Sequence, residues 1–308
     1  MKKTVRFAAI AALLITAAIL FLPGCSGKEN NPGVETKGET QVAASGGNSS
    51  QPVNQPAKND NPPVKPPLPV PKAEVGVPAA EAKTTENKGK VAYLTFDDGP
   101  NSHYTGRILD ILSQKKARAT FMVVGQNVVI NPSVMQRIKD EGHGIANHTF
   151  SHDYNKIYST PDAFIADLEE NNNVLAPYTG KPVKVFRAPG GPQKLGPALK
   201  EKLRTGGYTS VSWNISSADS DPRGVTRDQV YQNIVSGLEN VENMKLTPIV
   251  LMHDGTQLTT TAAKPGTAHA AYVQSREAVV EALPAIIDHF RSKGYTFGVV
   301  DEKTPPAW

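Results

Sequence analysis

The chain has 308 residues, of which 20% are charged, with a formal net charge of +4 at pH 7. So even a balance, without a basic motif, argues against nucleic acid as a principal partner. The single cysteine excludes an intrachain disulfide and a CxxC metal site, and most of the excess among the 25 prolines falls in the first quarter.

From the start of the chain, Lys2, Lys3 and Arg6 precede an apolar run, Phe7 to Leu22, that stops at Leu22-Pro23-Gly24-Cys25. A basic start, an apolar stretch and a small residue before the cut form the pattern of a secretory signal. The run is about 16 residues long, short of the roughly 20 that a membrane span needs. The Leu-x-Gly-Cys ending resembles a bacterial lipoprotein signal. That resemblance implies loss of residues 1–24, lipidation of Cys25 and an extracytoplasmic protein held on the membrane, facing the cell wall. Ser26 to Lys88 has no aromatic residue and sets seven Lys against seven Asp plus Glu. Such a stretch buries too little apolar surface to offset chain entropy, so residues 25–89 read as a disordered Pro-rich tether. Its r.m.s. reach is roughly 45 Å.

Residues 90–308 have a different character. Val91 to Phe96, Ala119 to Val124, Gly144 to Asn147, Val183 to Arg187, Tyr208 to Trp213, Ile249 to Met252 and Tyr295 to Val299 read as strands. Helical spacing recurs between them, at Ile108 to Leu112, Pro161 to Val174, Leu195 to Arg204, Thr226 to Leu238 and Gln274 to Arg291. About seven strands alternating with helices predict a parallel α/β fold. Polar residues gathered at the C-terminal strand ends favour a (β/α) barrel over a doubly wound sheet.

Four of those strand ends carry the chemistry. Asp97-Asp98-Gly99-Pro100 ends the first; adjacent carboxylates after an apolar strand need a cationic partner unless the turn is solvated. His148-Thr149-Phe150-Ser151-His152 follows the third. Two histidines at i and i+4 meet on one face of a helical turn, and with a carboxylate they make a common catalytic metal set. Arg187-Ala188-Pro189-Gly190-Gly191 places an Arg where it can orient a carboxylate, and a turn with exposed N–H groups. Leu251-Met252-His253-Asp254 puts a His at the end of an apolar strand. Taken singly, a solvated turn, a core histidine pair, a surface Arg and a half-buried His are ordinary alternatives.

In this order the motifs resemble the NodB-homology polysaccharide deacetylases, the family-four carbohydrate esterases, over roughly residues 90–300. The resemblance implies a distorted (β/α) barrel. It also implies a divalent ion, zinc or cobalt, on Asp98, His148 and His152. Asp97 would be the general base held by Arg187, and His253 the general acid supported by Asp219. Gly190 and Leu251 would face the oxyanion and the substrate. Gly190 and Ser220 stand where the family often has aromatic residues, and Ser216 where it often has an Asp. Binding is therefore expected to lean on a longer glycan and on the segment Gly255 to Ala271.

The expected function is N-deacetylation of N-acetylglucosamine in a cell-wall glycan, peptidoglycan first, by a monomer with no nucleic-acid partner. Deacetylation of chitin oligosaccharides or acetylxylan uses the same site. A wall-binding lipoprotein with weak or lost activity is the reading from another class.

Overall fold

The computed structural model describes residues 89–255, 264 and 266–307. The leader, Cys25, the tether and most of the segment Gly255 to Ala271 lie outside the described residues.

Apolar strands and amphipathic helices alternate. The strands are β1 (Lys90–Asp97), β2 (Thr120–Val123), β3 (Gly144–Asn147), β4 (Val185–Phe186), β5 (Thr209–Ser210), β6 (Ile215–Ser216), β7 (Ile249–His253) and β8 (Tyr295–Gly298). The helices are α1 (Tyr104–Gln114), α2 (Gly125–Ile130), α3 (Pro132–Asp140), α4 (Tyr154–Ile157), α5 (Pro161–Thr179), α6 (Pro197–Thr205), α7 (Arg227–Asn243) and α8 (Ala268–Ser292). Several helices start on side-chain caps. Asp153 accepts from the Asn155 N–H ahead of α4, Thr160 precedes a Pro at the start of α5, and Thr226 and Gln229 form a reciprocal capping box on α7.

All strand pairings are parallel, in the order β5-β4-β3-β2-β1-β7-β6, with β8 against the first half of β1. The two edge strands, β5 and β6, are joined only by Val211 to Asn214. Those few residues span at most ~18 Å, so the sheet curls until its edges approach, in keeping with the distorted (β/α) barrel expected.

Side-chain alternation sorts the strands into two cores. Leu94, Phe96, Phe121, Val123, Val250 and Met252 point outward into the main core, under α1, α3, α7 and α8. Tyr93, Met122, Ala146, Val185 and Ile249 point inward, where Val300 and Ala307 from the C-terminal segment help to fill the curl. Asp97, His148, Arg187 and His253 continue this inward phase at the C-terminal strand ends.

Two expectations need correction. The parallel sheet of about seven strands is present as expected, with Ile215–Ser216 pairing with β7, but the Tyr208 to Trp213 strand shrinks to two residues, Thr209–Ser210. The shortening has a cause: the Val211 and Ser212 carbonyls accept from Arg187 Nε and Nη2 instead of from a neighbouring strand. The second correction concerns His148 and His152. They lie on an irregular loop between β3 and α4, not on a helical turn, because Thr149 (φ 68°) and His152 (φ 53°) adopt left-handed conformations that break a helix.

Candidate active site

The site is assembled where β1, β3, β4 and β7 end. Asp97 is the last residue of β1 and lies opposite His253 in the β1–β7 pairing. The next residue, Asp98, takes φ 76°, which turns its carboxylate out of the strand and toward the histidines. Backbone strain of this kind persists only where surrounding bonds hold it. Here Asn127 Nδ2 donates to the Asp98 carbonyl at 2.6 Å, and the Gly99 N–H donates to Asp254 Oδ1 at 3.1 Å.

Asp98 Oδ1 lies 3.4 Å from His148 Nε2 and 3.3 Å from His152 Nε2. One ligand atom from each residue falls within 4.8 Å of the others. Ligand atoms bound at about 2.0–2.1 Å around one tetrahedral ion are separated by about 3.3 Å, so the donor set fits a zinc-sized divalent cation. The tautomer fits too. His148 Nδ1 lies 2.9 Å from the Arg187 carbonyl, which can only accept, so the proton is on Nδ1 and the Nε2 lone pair faces Asp98.

Electrostatics support the same reading. Burial raises the Asp98 carboxyl, but the His148 hydrogen bond and the charges of His152, His253 and His148 outweigh it and hold the group ionised. Burial lowers His152, which keeps its lone pair available at neutral pH. Burial also lowers His148, but Asp97 and Asp98 together raise it, so a cation binding there competes with a proton.

The loop carrying the histidines is braced from α5. Asp167, 1% exposed, accepts from the Phe150 N–H at 2.7 Å, the Ser151 N–H at 2.8 Å and the Ser151 hydroxyl at 2.8 Å. One turn on, Asn171 Nδ2 donates to the Val123 and Thr149 carbonyls and to Asn147 Oδ1, each at 2.9 Å.

Arg187 is 1% exposed, yet every arm of its guanidinium is bonded. Nη1 donates to Asp97 Oδ1 at 2.7 Å and to Thr95 Oγ1 at 2.8 Å. Asp97 Oδ2 is left facing the histidines, 3.8 Å from His148 Nε2. On the other side, His253 Nδ1 bonds Asp219 Oδ1 at 2.7 Å, and the His253 N–H donates to Asp219 Oδ2 at 2.8 Å. Burial lowers His253, but the Asp219 charge and hydrogen bond prevail and push it up to about 9. Gly190 is exposed at φ 73°, and its N–H has no partner among the described residues. Leu251 shares the inward face of β7 with His253 and is 6% exposed.

The structure thus brings Asp97, Asp98, His148, His152, Arg187, Asp219 and His253 together. A cavity of about 680 Å³ opens beside them, lined by Asp98, Asn127, Ile130, His152 and Tyr154 among others. Gly190 and Leu251 are not among its described lining residues.

Several contributors were missed from the sequence. Asp167 and Asn171, at i and i+4 on the buried side of α5, carried a signal: polar residues in an apolar stripe. Arg276 gave none. It lies buried on α8, donating to the Gly255 carbonyl at 2.7 Å and the Asp219 carbonyl at 3.0 Å. Asp254, fully buried beside His253, accepts from Thr105 Oγ1 at 2.5 Å, and burial pushes its carboxyl up to about 7.

Comparison with known proteins agrees with this geometry. Residues 84–210 match the polysaccharide deacetylase family. A peptidoglycan-N-acetylglucosamine deacetylase of Bacillus cereus is 30% identical over 239 residues, covering 76% of this chain and 77% of that protein. A chitooligosaccharide deacetylase of Rhizobium leguminosarum is 29% identical, over 66% of this chain and 87% of its own. The catalytic domain of a peptidoglycan N-acetylglucosamine deacetylase from Eubacterium rectale superposes with a TM-score of 0.56 at 31% identity, over 75% of this chain and 97% of that one. The chain belongs to the polysaccharide deacetylase family, and it is an enzyme of that family.

Proposed function

We propose that this enzyme hydrolyses the acetamide of N-acetylglucosamine residues in peptidoglycan, with a divalent ion held by Asp98, His148 and His152. The observation that carries the reading is the separation of two charge systems across β1 and β7: Asp97 held by Arg187 on one side, His253 held by Asp219 on the other. Such a pair serves a reaction that takes a proton at one point and delivers one at another.

A divalent ion in this donor set supplies Lewis acidity toward the acetamide carbonyl and toward water. Asp97 takes the proton of the attacking water at Oδ2, since Oδ1 is engaged by Arg187. The water oxygen bonds to the acetyl carbon. The Gly190 N–H would donate to the oxygen that gains negative charge. His253, protonated near neutrality, gives its Nε2 proton to the sugar nitrogen as the C–N bond breaks. The products are a glucosamine residue and acetate.

Peptidoglycan is favoured by the Bacillus cereus and Eubacterium rectale relatives, which bear that substrate in their names. The Rhizobium relative supports chitin oligosaccharides as the second reading. The leader, lipidated Cys25 and tether belong to the same proposal: they place a monomeric catalytic domain on the outer membrane face within reach of the wall. Among the described residues no helix is long and apolar enough to cross a membrane. Zinc is the favoured ion and cobalt the next.

The test is acetate release and mass spectrometry of muropeptides after incubation of purified protein with peptidoglycan, chitin oligomers and acetylxylan. Loss of one acetyl mass from glucosamine-containing muropeptides is the expected result. Acetate from chitin oligomers or acetylxylan alone would move the substrate assignment. No release from any glycan would favour the wall-binding role.

A further inference from the structure

Tyr154 has no part in the chemistry above, yet it is one of the exposed large hydrophobic side chains among the described residues, at 41%. It is the first residue of α4, immediately after the Asp153 cap and two residues from His152. Its ring stands edge-on to the His152 imidazole, with centroids 5.5 Å apart and planes at 82°. Behind it lies Tyr158, at 6.0 Å, whose hydroxyl donates to the Pro189 carbonyl at 2.7 Å and whose ring packs on buried Phe164 at 5.4 Å. The exposed ring is therefore backed by a run of aromatic side chains that reaches the core.

The turn after Arg187 is shaped around this ring. A methyl group built on Gly190 would lie 2.8 Å from Tyr154 Cε1 and 3.1 Å from its hydroxyl, closer than carbon atoms pack. The Gly190 backbone, at φ 73°, also disfavours any side chain. Space that a side chain at 190 would fill thus belongs to a tyrosine from another segment. Tyr154 lines the cavity with Asp98 and His152, and the described lining residues include no lysine or arginine. A flat aromatic face beside a hydrogen-bonding cavity suits the C–H face of a neutral pyranose.

We propose that Tyr154 is the aromatic wall of the sugar subsite beside the metal centre, supplied from the loop that carries His152 in place of a side chain at Gly190. This rests on the deacetylase reading, because the ring meets the sugar whose acetamide reaches Asp98 and His152. Short glycans then owe their binding to Tyr154, and the length preference expected from Gly190 and Ser220 becomes steep only without it.

The test is steady-state acetate release by the zinc-loaded protein on chitin oligomers from dimer to hexamer, with Tyr154→Ala, Tyr154→Leu and Tyr154→Phe. Zinc affinity is measured for each by titration calorimetry. Loss of an aromatic contact of this kind is expected to raise KM about 5–10-fold on the shortest oligomers, with kcat within about twofold. Tyr154→Phe, which keeps the face, should match the parent. Tyr154→Leu, similar in bulk but without a flat face, should behave as Tyr154→Ala and serves if alanine impairs folding. An unchanged KM in both Tyr154→Ala and Tyr154→Leu overturns the subsite while leaving the deacetylase reading intact. So does a defect that tracks weakened zinc affinity and vanishes at saturating zinc, since the ring would then only prop His152. A parent protein inactive on chitin oligomers and peptidoglycan alike overturns both.

Discussion

The Arg187 guanidinium donates to Asp97 Oδ1 at 2.7 Å between side chains that are 1% and 5% exposed. The Arg187 carbonyl also accepts the His148 Nδ1 proton at 2.9 Å. One residue thus orients both the proposed base and a proposed metal ligand. Arg187→Met would leave the Asp97 charge buried and unpaired, at a loss of about 3–5 kcal/mol in unfolding free energy by denaturant titration. Arg187→Lys keeps the charge but gives up the fork to the Val211 and Ser212 carbonyls. It is expected to lower kcat/KM about 10²-fold, as misplacement of a catalytic group does.

The two adjacent carboxylates are expected to separate by phenotype. Asp97→Asn should retain one zinc per chain by elemental analysis while kcat falls about 10²–10⁴-fold, the usual contribution of a general base. Asp98→Asn should lose zinc during dialysis. The reverse pattern would exchange the two roles.

As the proposed acid, His253 would work only while protonated, and Asp219 pushes its pKa up to about 9. Its contribution is therefore complete at neutral pH and lost as pH rises through about 9. A plot of log(kcat/KM) against pH should bend downward there. Asp219→Asn removes the charge that raises His253, so the alkaline limb should move toward lower pH. An alkaline limb unmoved by Asp219→Asn would assign it to another group.

Asp167→Ala is expected to act at a distance. It orphans the N–H groups of Phe150 and Ser151 on the loop between the two histidines. We expect about 1–3 kcal/mol of destabilisation in thermal unfolding. Zinc affinity should drop about 10–100-fold by competition with a chelator, as for other groups that brace metal ligands.

Cys25→Ser is expected to shift the protein out of the membrane fraction on cell fractionation, with deacetylase activity of the purified protein unchanged. Wild-type protein found wholly in the medium without lipid on Cys25 would contradict the anchor.

The linear order of residues determined the strand ends and the groups they carry. Apolar runs stopping at Asp97, Asn147, Arg187 and His253 mark where parallel strands open into loops, because a buried strand can place polar side chains only past its last core position. Asp98, His148 and His152 were legible for the same reason: their chemistry is written in residue type and short spacing. Tertiary structure alone decided how the histidines meet. Left-handed turns at Thr149 and His152, held by Asp167 and Asn171 from a helix, did what a helical turn was expected to do. It also decided that Arg276, 57 residues from Asp219, bonds the Asp219 carbonyl beside His253, and that Tyr154 takes the space at Gly190. These contacts join segments with no fixed spacing between them. They exist only once the sheet has curled and brought its strand ends around one centre.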